Sequence, residues 1–263
     1  MATAYLEDIM RFHRARVAAD HRDWRRRLDE VTPCRSRFRA ALRPGDALGV
    51  IAEIKRRSPS KGWLNRDLDP AVLSKAYEDG GAAALSVLTD EEHFACSLGD
   101  LRAAHDACTL PLLRKDFTVS ANDVIDALQF GASAVLLIVA ALDDDECAHL
   151  LEVSALCGLD ALVEVHDLDE ARRAIALGAT LVGVNQRDLR TFEVRGERAA
   201  AVVAALPPTV VAVAESGLRD VADVERSAAD GFDAVLVGES LVRASDPARA
   251  VRELASVKRR GRD

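Results

Sequence analysis

The chain has 263 residues, 49% of them apolar but only 4% aromatic, with a formal net charge of −8. That length suits one domain with a self-sufficient core of Ala, Val and Leu, and the acidic balance disfavours nucleic acid as the main partner. The N-terminus MATAYLEDIM has no apolar core before a cleavage site, no stretch of about 18 residues is free of charge, and the five cysteines (Cys34, Cys96, Cys108, Cys147, Cys157) include no CxxC pair, so membrane spanning and secretion are not expected and a reducing cytoplasm is.

Charge is unevenly spread. Residues 1–45 carry eleven arginines against six acids, a net of +5, which leaves −13 for the rest. Arg11, Arg14, Arg16, Arg22, Arg25, Arg26 and Arg27 fall on a segment with helical spacing that begins near Tyr5. The plain expectation is a solvated basic face on a helical extension over residues 1–45. The sharper one is a helix lying over the mouth of residues 46–263 and adding positive potential for an anionic substrate.

Eight short apolar runs follow: Gly49–Lys55, Ala82–Leu88, Leu110–Lys115, Ser133–Ile138, Asp160–Val165, Thr180–Asn185, Val210–Glu215 and Asp233–Gly238, with starts 20 to 33 residues apart. They are near-continuously apolar rather than alternating, as parallel strands buried on both faces are. Between and after them the spacing predicts helices near Pro70–Asp79, Leu98–Ala107, Ser120–Phe130, Asp143–Cys157, Leu168–Leu177, Gly196–Leu206, Asp220–Ala229 and Pro247–Val257. Ser120 and Asp143 are suited to cap their helices, and Gly131, Gly158, Gly178 and Gly231 stand where a left-handed cap is wanted before the next strand. Eight such units predict an α/β, (β/α)8 TIM barrel, a fold that typically takes about 250 residues and carries its active site at the carboxyl ends of the strands.

The chemistry-bearing residues sit at those ends. Glu53 and Lys55, two apart on a strand, point the same way, and an inward direction avoids burying two charges under a helix. Arg56–Gly62, RRSPSKG, reads equally as a substrate-covering lid or a solvated turn. Lys115 lies at the rim beside Asp116. It is expected to be partly withdrawn from water with a lowered pKa, suited to proton exchange, against the alternative of a surface salt bridge. Glu164 is a carboxylate inside an apolar strand, either paired with a lysine or held near neutral pH as an acid or base, with His166 just beyond it read as an exposed loop histidine. Glu215-Ser216-Gly217 and Gly238-Glu239-Ser240 each end a strand and open a helix, leaving backbone N–H groups free to face a phosphate. No clustered His, Cys and Asp set suggests a metal, and no glycine-rich fingerprint follows the first strand, so neither metal nor cofactor is expected.

Strings in order along residues 50–254 resemble the indole-3-glycerol phosphate synthase family: IAEIKRRSPSKG from Ile51, SVLTDEEHF from Ser86, LLRKDF from Leu112, LLIVAAL from Leu136, ALVEVH from Ala161, GVNQRDLRTFEV from Gly183, AESGL from Ala214 and VLVGESL from Val235. The basic N-terminal helix is similar to that family's extra segment over the barrel mouth. The resemblance implies a carbon-carbon lyase of tryptophan biosynthesis. Its reaction is ring closure of 1-(2-carboxyphenylamino)-1-deoxyribulose 5-phosphate to indole-3-glycerol phosphate, with loss of carbon dioxide and water and no cofactor. Lys115 then resembles the general acid, Glu164 its partner in proton transfer, and Lys55 a contact to substrate anions that donates a proton in dehydration. Glu53, Asn185, Glu215 and Ser216 match orienting polar positions. Ser58, Arg187, Gly217 and Gly238 match anion contacts, Glu239 offers its backbone N–H to phosphate, and Phe94, Phe117, Leu136 and Leu189 match the lining of an anthranilate pocket. Gln186 stands where many relatives have asparagine, and alternation is expected to point it away from Asn185; Glu239 stands where many have serine. The expected partner is the phosphorylated small molecule, with no nucleic acid or membrane. The expected state is a monomer, with association with other tryptophan-pathway enzymes left open. An isomerase of the same fold would be expected to end strands with a Cys and Asp pair, and no cysteine ends a run here; a catalytically silent paralogue would be expected to have lost Lys55, Lys115 and Glu164.

Overall fold

The structure is a computed structural model that describes residues 2–58, 61–187 and 196–262, with the backbone alone for 2–5. Eight parallel strands close into a barrel: β1 (Gly49–Ile54), β2 (Ala84–Leu88), β3 (Leu112–Lys115), β4 (Ala134–Ile138), β5 (Asp160–Val165), β6 (Leu181–Asn185), β7 (Val211–Glu215) and β8 (Ala234–Val237). Each pairs with its neighbours in sequence, and β1 closes on β8 with Gly49 opposite Ala234 and Ala52 opposite Val237. The expected eight units are present, most strands beginning one or two residues later than the apolar run because the first residues cross from helix to sheet.

Three helices precede the barrel: α1 (Ala2–Ala18), α2 (Trp24–Glu30) and α3 (Phe38–Ala41). Around it lie α4 (Pro70–Gly80), α5 (Glu91–Phe94), α6 (Leu98–Ala107), α7 (Ala121–Gln129), α8 (Asp144–Leu156), α9 (Leu168–Ala176), α10 (Gly196–Ala205), α11 (Val221–Ala229), α12 (Glu239–Val242) and α13 (Pro247–Ala255). Ser120 and Asp143 cap α7 and α8 through capping boxes closed by Asp123 and Glu146. Gly158, after α8, has φ +71, and a Cβ there would stand 1.9 Å from the carbonyl oxygen of Cys34. Only glycine admits that approach, which seats the 34–36 segment through Cys34 N–H to Cys157 O (3.0 Å) and Ser36 N–H to Gly158 O (3.1 Å).

Strand alternation divides the apolar residues into two cores. Ile51, Leu113, Leu136, Leu162, Leu181, Val213 and Leu236 fill the barrel, while Val50, Ala52, Ile54, Val163, Val182 and Val235 face the helices. A strand buried on both sides needs apolar residues at every step, which is why the runs read as continuous. Glu53 lies in register with inward Ile51, so its inward direction is as the spacing required.

The N-terminal segment serves both ends of the barrel, a correction to an extension lying only over the mouth. Phe38 of α3 and Leu42 after it are fully buried in the interior core and close the floor, with Leu42 O where a Cβ on Gly49 would be only 2.6 Å away. α1 reaches the opposite end, where Leu6 and Ile9 face the cavity described below. The basic residues of this segment do not line the cavity; Arg11, Arg14, Arg22, Arg25 and Arg26 are exposed, as the plain expectation of a solvated basic face had it, while some of them also reach acids of the barrel. Arg14 holds Glu146 (2.6 Å), Arg16 holds Asp123 (2.7 Å), and Arg22 and Arg27 hold Asp126 (2.9 and 2.6 Å). Arg11 and Arg26 pair within their own helices, and Arg25 lies over the Trp24 ring. Part of the positive excess of residues 1–45 thus docks the segment on the acidic barrel, and the rest faces solvent.

Candidate active site

A cavity of about 1080 Å³ opens at the carboxyl ends of the strands. Glu53, Lys55, Ser58, Phe94, Lys115, Phe117, Leu136, Glu164, Asn185, Arg187, Glu215, Ser216, Gly217, Gly238 and Glu239 all line it. Leu189 lies outside the described residues. Gln186 lines the cavity as well, so the turn after β6 overrides the alternation that was expected to point it away. Lys61 also reaches the wall, and Arg57–Ser58 pair antiparallel with Gly62–Trp63, while Pro59 and Ser60 lie outside the described residues. Arg56 and Arg57 turn from the cavity, to Asp100 (2.7 Å) and to the carbonyl oxygen of His93 (3.0 Å).

Two ion-paired groups face each other across the opening. Lys55 donates to Glu53 at 2.5 Å, and Ser86 donates to the same carboxylate at 3.4 Å. Lys115 donates to Glu164 at 3.2 Å and stands 3.6 Å from Glu215. Asn185 donates to the other oxygen of Glu164 at 3.1 Å, and its own carbonyl accepts from the Arg187 N–H at 3.0 Å. The alternative of a surface salt bridge between Lys115 and Asp116 is not formed: Asp116 pairs with buried Arg114 (2.6 Å), which also donates to the Asp123 carbonyl, and alternation sends Arg114 outward beneath α7 while Lys115 points in.

Burial pushes the Lys115 ammonium toward losing its proton, but Glu164, Glu215 and Glu53 outweigh it and hold the pKa above the usual lysine range. The expected lowering is therefore overturned by three facing carboxylates. Burial pushes Glu164 up, yet Lys115, His166 and Asn185 together hold it well below the usual carboxylate range. Glu215 goes the other way: burial, with Glu164 and Glu53 nearby, pushes it to about 8 against the pull of Lys115 and His166. Two neighbouring inward acids are thus pushed apart, Glu164 toward the ionised form and Glu215 toward the protonated one, the condition for distinct acid and base roles.

At the other side of the mouth, Ser216 has φ +67 and Gly217 φ +79. Ser216, a non-glycine residue in the left-handed region, is strained, and Gly217 follows it in the same region without that cost. Gly238 heads α12 with φ −123, and a Cβ there would sit 2.5 Å from Glu53 Oε1 and 3.0 Å from Lys55 Nζ. Residues 216–217 and 238–240 line this side of the cavity, with Lys55 close to Gly238.

His166 is where the sequence reading fails. It is nearly buried, its Nδ1 3.0 Å from Glu170 and its Nε2 3.4 Å from Glu164. The one group of described residues able to hold a metal ion, His13, Asp90 and His93, also escaped the sequence, since 77 positions separate His13 from Asp90. Asp90 Oδ2 is 3.1 Å from His13 Nε2 and 2.7 Å from His93 Nδ1. A tetrahedral zinc would hold such atoms about 3.3 Å apart. Arg16, 3.5 Å from His13 Nδ1, donates there and leaves Nε2–H to donate to Asp90. The set reads as a hydrogen-bonded dock of α1 on the barrel.

The model of the indole-3-glycerol phosphate synthase family matches residues 6–254. The chain belongs to this family. Family membership makes it a carboxy-lyase of tryptophan biosynthesis that acts on a phosphorylated small molecule. It is 50% identical over 238 residues to the indole-3-glycerol phosphate synthase of a Nocardioides sp., covering 89% of this chain and 90% of that one. To that of Mycolicibacterium vanbaalenii it is 46% identical over 257 residues, covering 95% and 93%. Among solved structures it resembles thiamine phosphate pyrophosphorylase from Pyrococcus furiosus, with TM-score 0.60 and 16% identity over 82% of this chain and 95% of that one. It also resembles an N-acetylmannosamine-6-phosphate 2-epimerase from Clostridium perfringens, with TM-score 0.59 and 14% identity over 73% and 86%. At those identities the likeness is of fold alone. No helix among the described residues is long and apolar enough to cross a membrane.

Proposed function

We propose that the Lys115–Glu164–Glu215 cluster and the Glu53–Lys55 pair carry out ring closure, decarboxylation and dehydration of 1-(2-carboxyphenylamino)-1-deoxyribulose 5-phosphate. The observation that carries this is Lys115 Nζ, held 3.2 Å from Glu164 and 3.6 Å from Glu215 inside the cavity, opposite a second lysine. An aromatic carbon attacking a ketone builds an alkoxide, and a fixed ammonium both stabilises that charge and supplies its proton. Lys115 is the general acid of this step. Its carboxylate neighbours keep it protonated until the alkoxide, a far stronger base, forms.

Loss of carbon dioxide restores aromaticity, and the hydroxyl then leaves as water. Lys55, across the cavity, donates to that hydroxyl, and Glu164 takes the proton released from the ring. Glu53 and Asn185 hold Lys55 and Glu164 in place, with Glu215 and Ser216 orienting substrate hydroxyls. The phosphate sits on the N–H groups of Gly217, Gly238 and Glu239, and Ser58 and Arg187 contact substrate anions. Phe94, Phe117 and Leu136 enclose the anthranilate ring.

The finer setting we infer is a monomer working in the cytoplasm, consistent with five unpaired thiols, and able to associate with other enzymes of tryptophan synthesis. Turnover of the pure protein, with products identified by mass spectrometry, tests the reading. One carbon dioxide and one indole-3-glycerol phosphate per substrate consumed is the expected result. Bound but unconverted substrate would overturn it.

A further inference from the structure

Gly183 stands in β6 at a position where glycine is costly and the backbone does not call for it. A glycine inside a strand gives up more conformational freedom on folding than any other residue and brings no side chain to the packing. Gly183 is buried and its φ is not positive, so the backbone there is one that alanine adopts freely. It alternates with Val182 and Val184, which face the helices, and so shares the inward side of β6 with Leu181 and Asn185.

What occupies the inward space is the carboxyl of Glu215. Register sets Asn185 beside Glu215, and Gly183 between Glu164 of β5 and Val213 of β7. The Glu215 side chain folds back from the end of β7 onto the bare Cα of Gly183, so a Cβ there would stand 1.9 Å from Oε1 and 3.1 Å from Cδ. The next atom, Leu162 Cδ1, is 3.3 Å away. In this place Oε1 makes no hydrogen bond among the described residues, and Oε2 is 3.6 Å from Lys115 Nζ. Burial there, with Glu164 and Glu53 nearby, is what carries the Glu215 carboxyl up to about 8 against the pull of Lys115 and His166. Glu215 lines the cavity, and Gly183 lies behind it.

We propose that Gly183 is a positioning residue of the active site: its missing side chain is the seat that holds the Glu215 carboxyl back in the barrel, within reach of Lys115 and out of the volume the substrate takes. A methyl group at 183 need not disturb the backbone, because the atoms it meets are the free end of a side chain that can swing. What moves is the carboxyl, which has to shift by about 1 Å, a displacement that can cost up to about 10²-fold in rate. The open direction is the cavity, where the displaced group takes room from the substrate and gains water. Gly183 touches neither substrate nor proton and acts on the reaction only through Glu215.

This rests on the assignment of Glu215 to the cluster above. The test is a double-mutant cycle of Gly183→Ala with Glu215→Asp, whose carboxyl is one methylene shorter and stops short of residue 183, followed by kcat and KM and by melts from pH 5 to 9. With Glu215 in place, Gly183→Ala should lower kcat/KM by at least roughly tenfold. In the Glu215→Asp protein the same change should cost less than about threefold, because the methyl group no longer meets the carboxyl. The melts need no turnover. Wild type should lose stability toward about pH 8 as Glu215 gives up its proton, and Gly183→Ala, with the carboxyl moved toward water, should lose less over the same range. A Gly183→Ala enzyme with wild-type kcat/KM, an equal loss in both backgrounds, or melts with the wild-type pH dependence would overturn the seat and leave Gly183 a matter of packing. If Gly183→Ala alone does not fold, a folded double variant would still show the clash with the carboxyl, and two unfolded proteins would overturn it. An inactive wild type would instead refute the underlying assignment, with the melts left to decide the seat.

Discussion

Replacing Glu215 by glutamine should make the protein more stable, and increasingly so as pH rises. Glu215 is 2% exposed, its Oε1 has no hydrogen-bond partner among the described residues, and burial raises its carboxyl from 4.5 to about 8. Between those values the native state holds a proton that the unfolded chain releases, so this group's contribution to stability is complete below about pH 4.5 and fades as pH rises to about 8. Each pH unit of that window is worth about 1.4 kcal/mol, a ceiling of roughly 5 kcal/mol over the whole of it. Glutamine is close in shape to the neutral acid and does not titrate, which removes the decline. Thermal melts of both proteins from pH 5 to 9 at fixed ionic strength should therefore coincide near pH 5 and diverge to about pH 8. At about 2 °C per kcal/mol for a chain of this size, the variant should lead by at most about 10 °C. A variant less stable than wild type by the same margin at every pH would refute the reasoning, because it would mean a charged Glu215 paired with Lys115.

Gly238→Ala should lower kcat/KM by roughly tenfold or more, since even a displacement of about 1 Å can cost 10²-fold; its melting temperature should stay within a few degrees, and steady-state kinetics beside a melt would check both. Arg114→Met, which strands Asp116 in the interior, should cost about 3–5 kcal/mol in urea unfolding, and adding Asp116→Asn should recover part of that. Phe38→Ala, which opens the barrel floor, should cost about 3–5 kcal/mol without a comparable change in KM. Raising salt should weaken substrate binding through the cavity lysines equally in wild type and Arg14→Ala, because Arg14 is already held by Glu146; a salt dependence that vanishes in Arg14→Ala would restore a steering role to α1.

The eight strands were legible because a strand buried on both faces has no choice but apolar residues, and each ends abruptly in a polar one. Glu53, Lys55, Lys115, Glu164, Asn185 and Glu215 stood out because a charge or amide at such an end must either face the cavity or be buried at great cost. What local sequence hid was set by contacts between distant segments. The basic residues of the first 45 found acids on α7 and α8 about 100 positions away, and His13 found Asp90. Lys115 gained a raised pKa instead of a lowered one because Glu164 and Glu215 arrive from β5 and β7, and a single strand does not disclose how many carboxylates will meet it. His166 looked exposed because it follows a strand, while Glu170, which the α9 turn folds over it, lies four residues on. Asp116 sat next to the lysine in sequence but pairs with Arg114, which the strand sends to its other face.

The central claim is that Lys115 is the acid of a ring-closing synthase, and one measurement addresses it most directly. Metal-stripped wild type and Lys115→Ala are each mixed with 1-(2-carboxyphenylamino)-1-deoxyribulose 5-phosphate, and indole fluorescence is followed alongside a melt of each protein. The account predicts a steady rise for wild type and a rate at least about 10³-fold lower for a Lys115→Ala protein that is still folded. Comparable rates in the two proteins, or no rise from folded wild type, would contradict it.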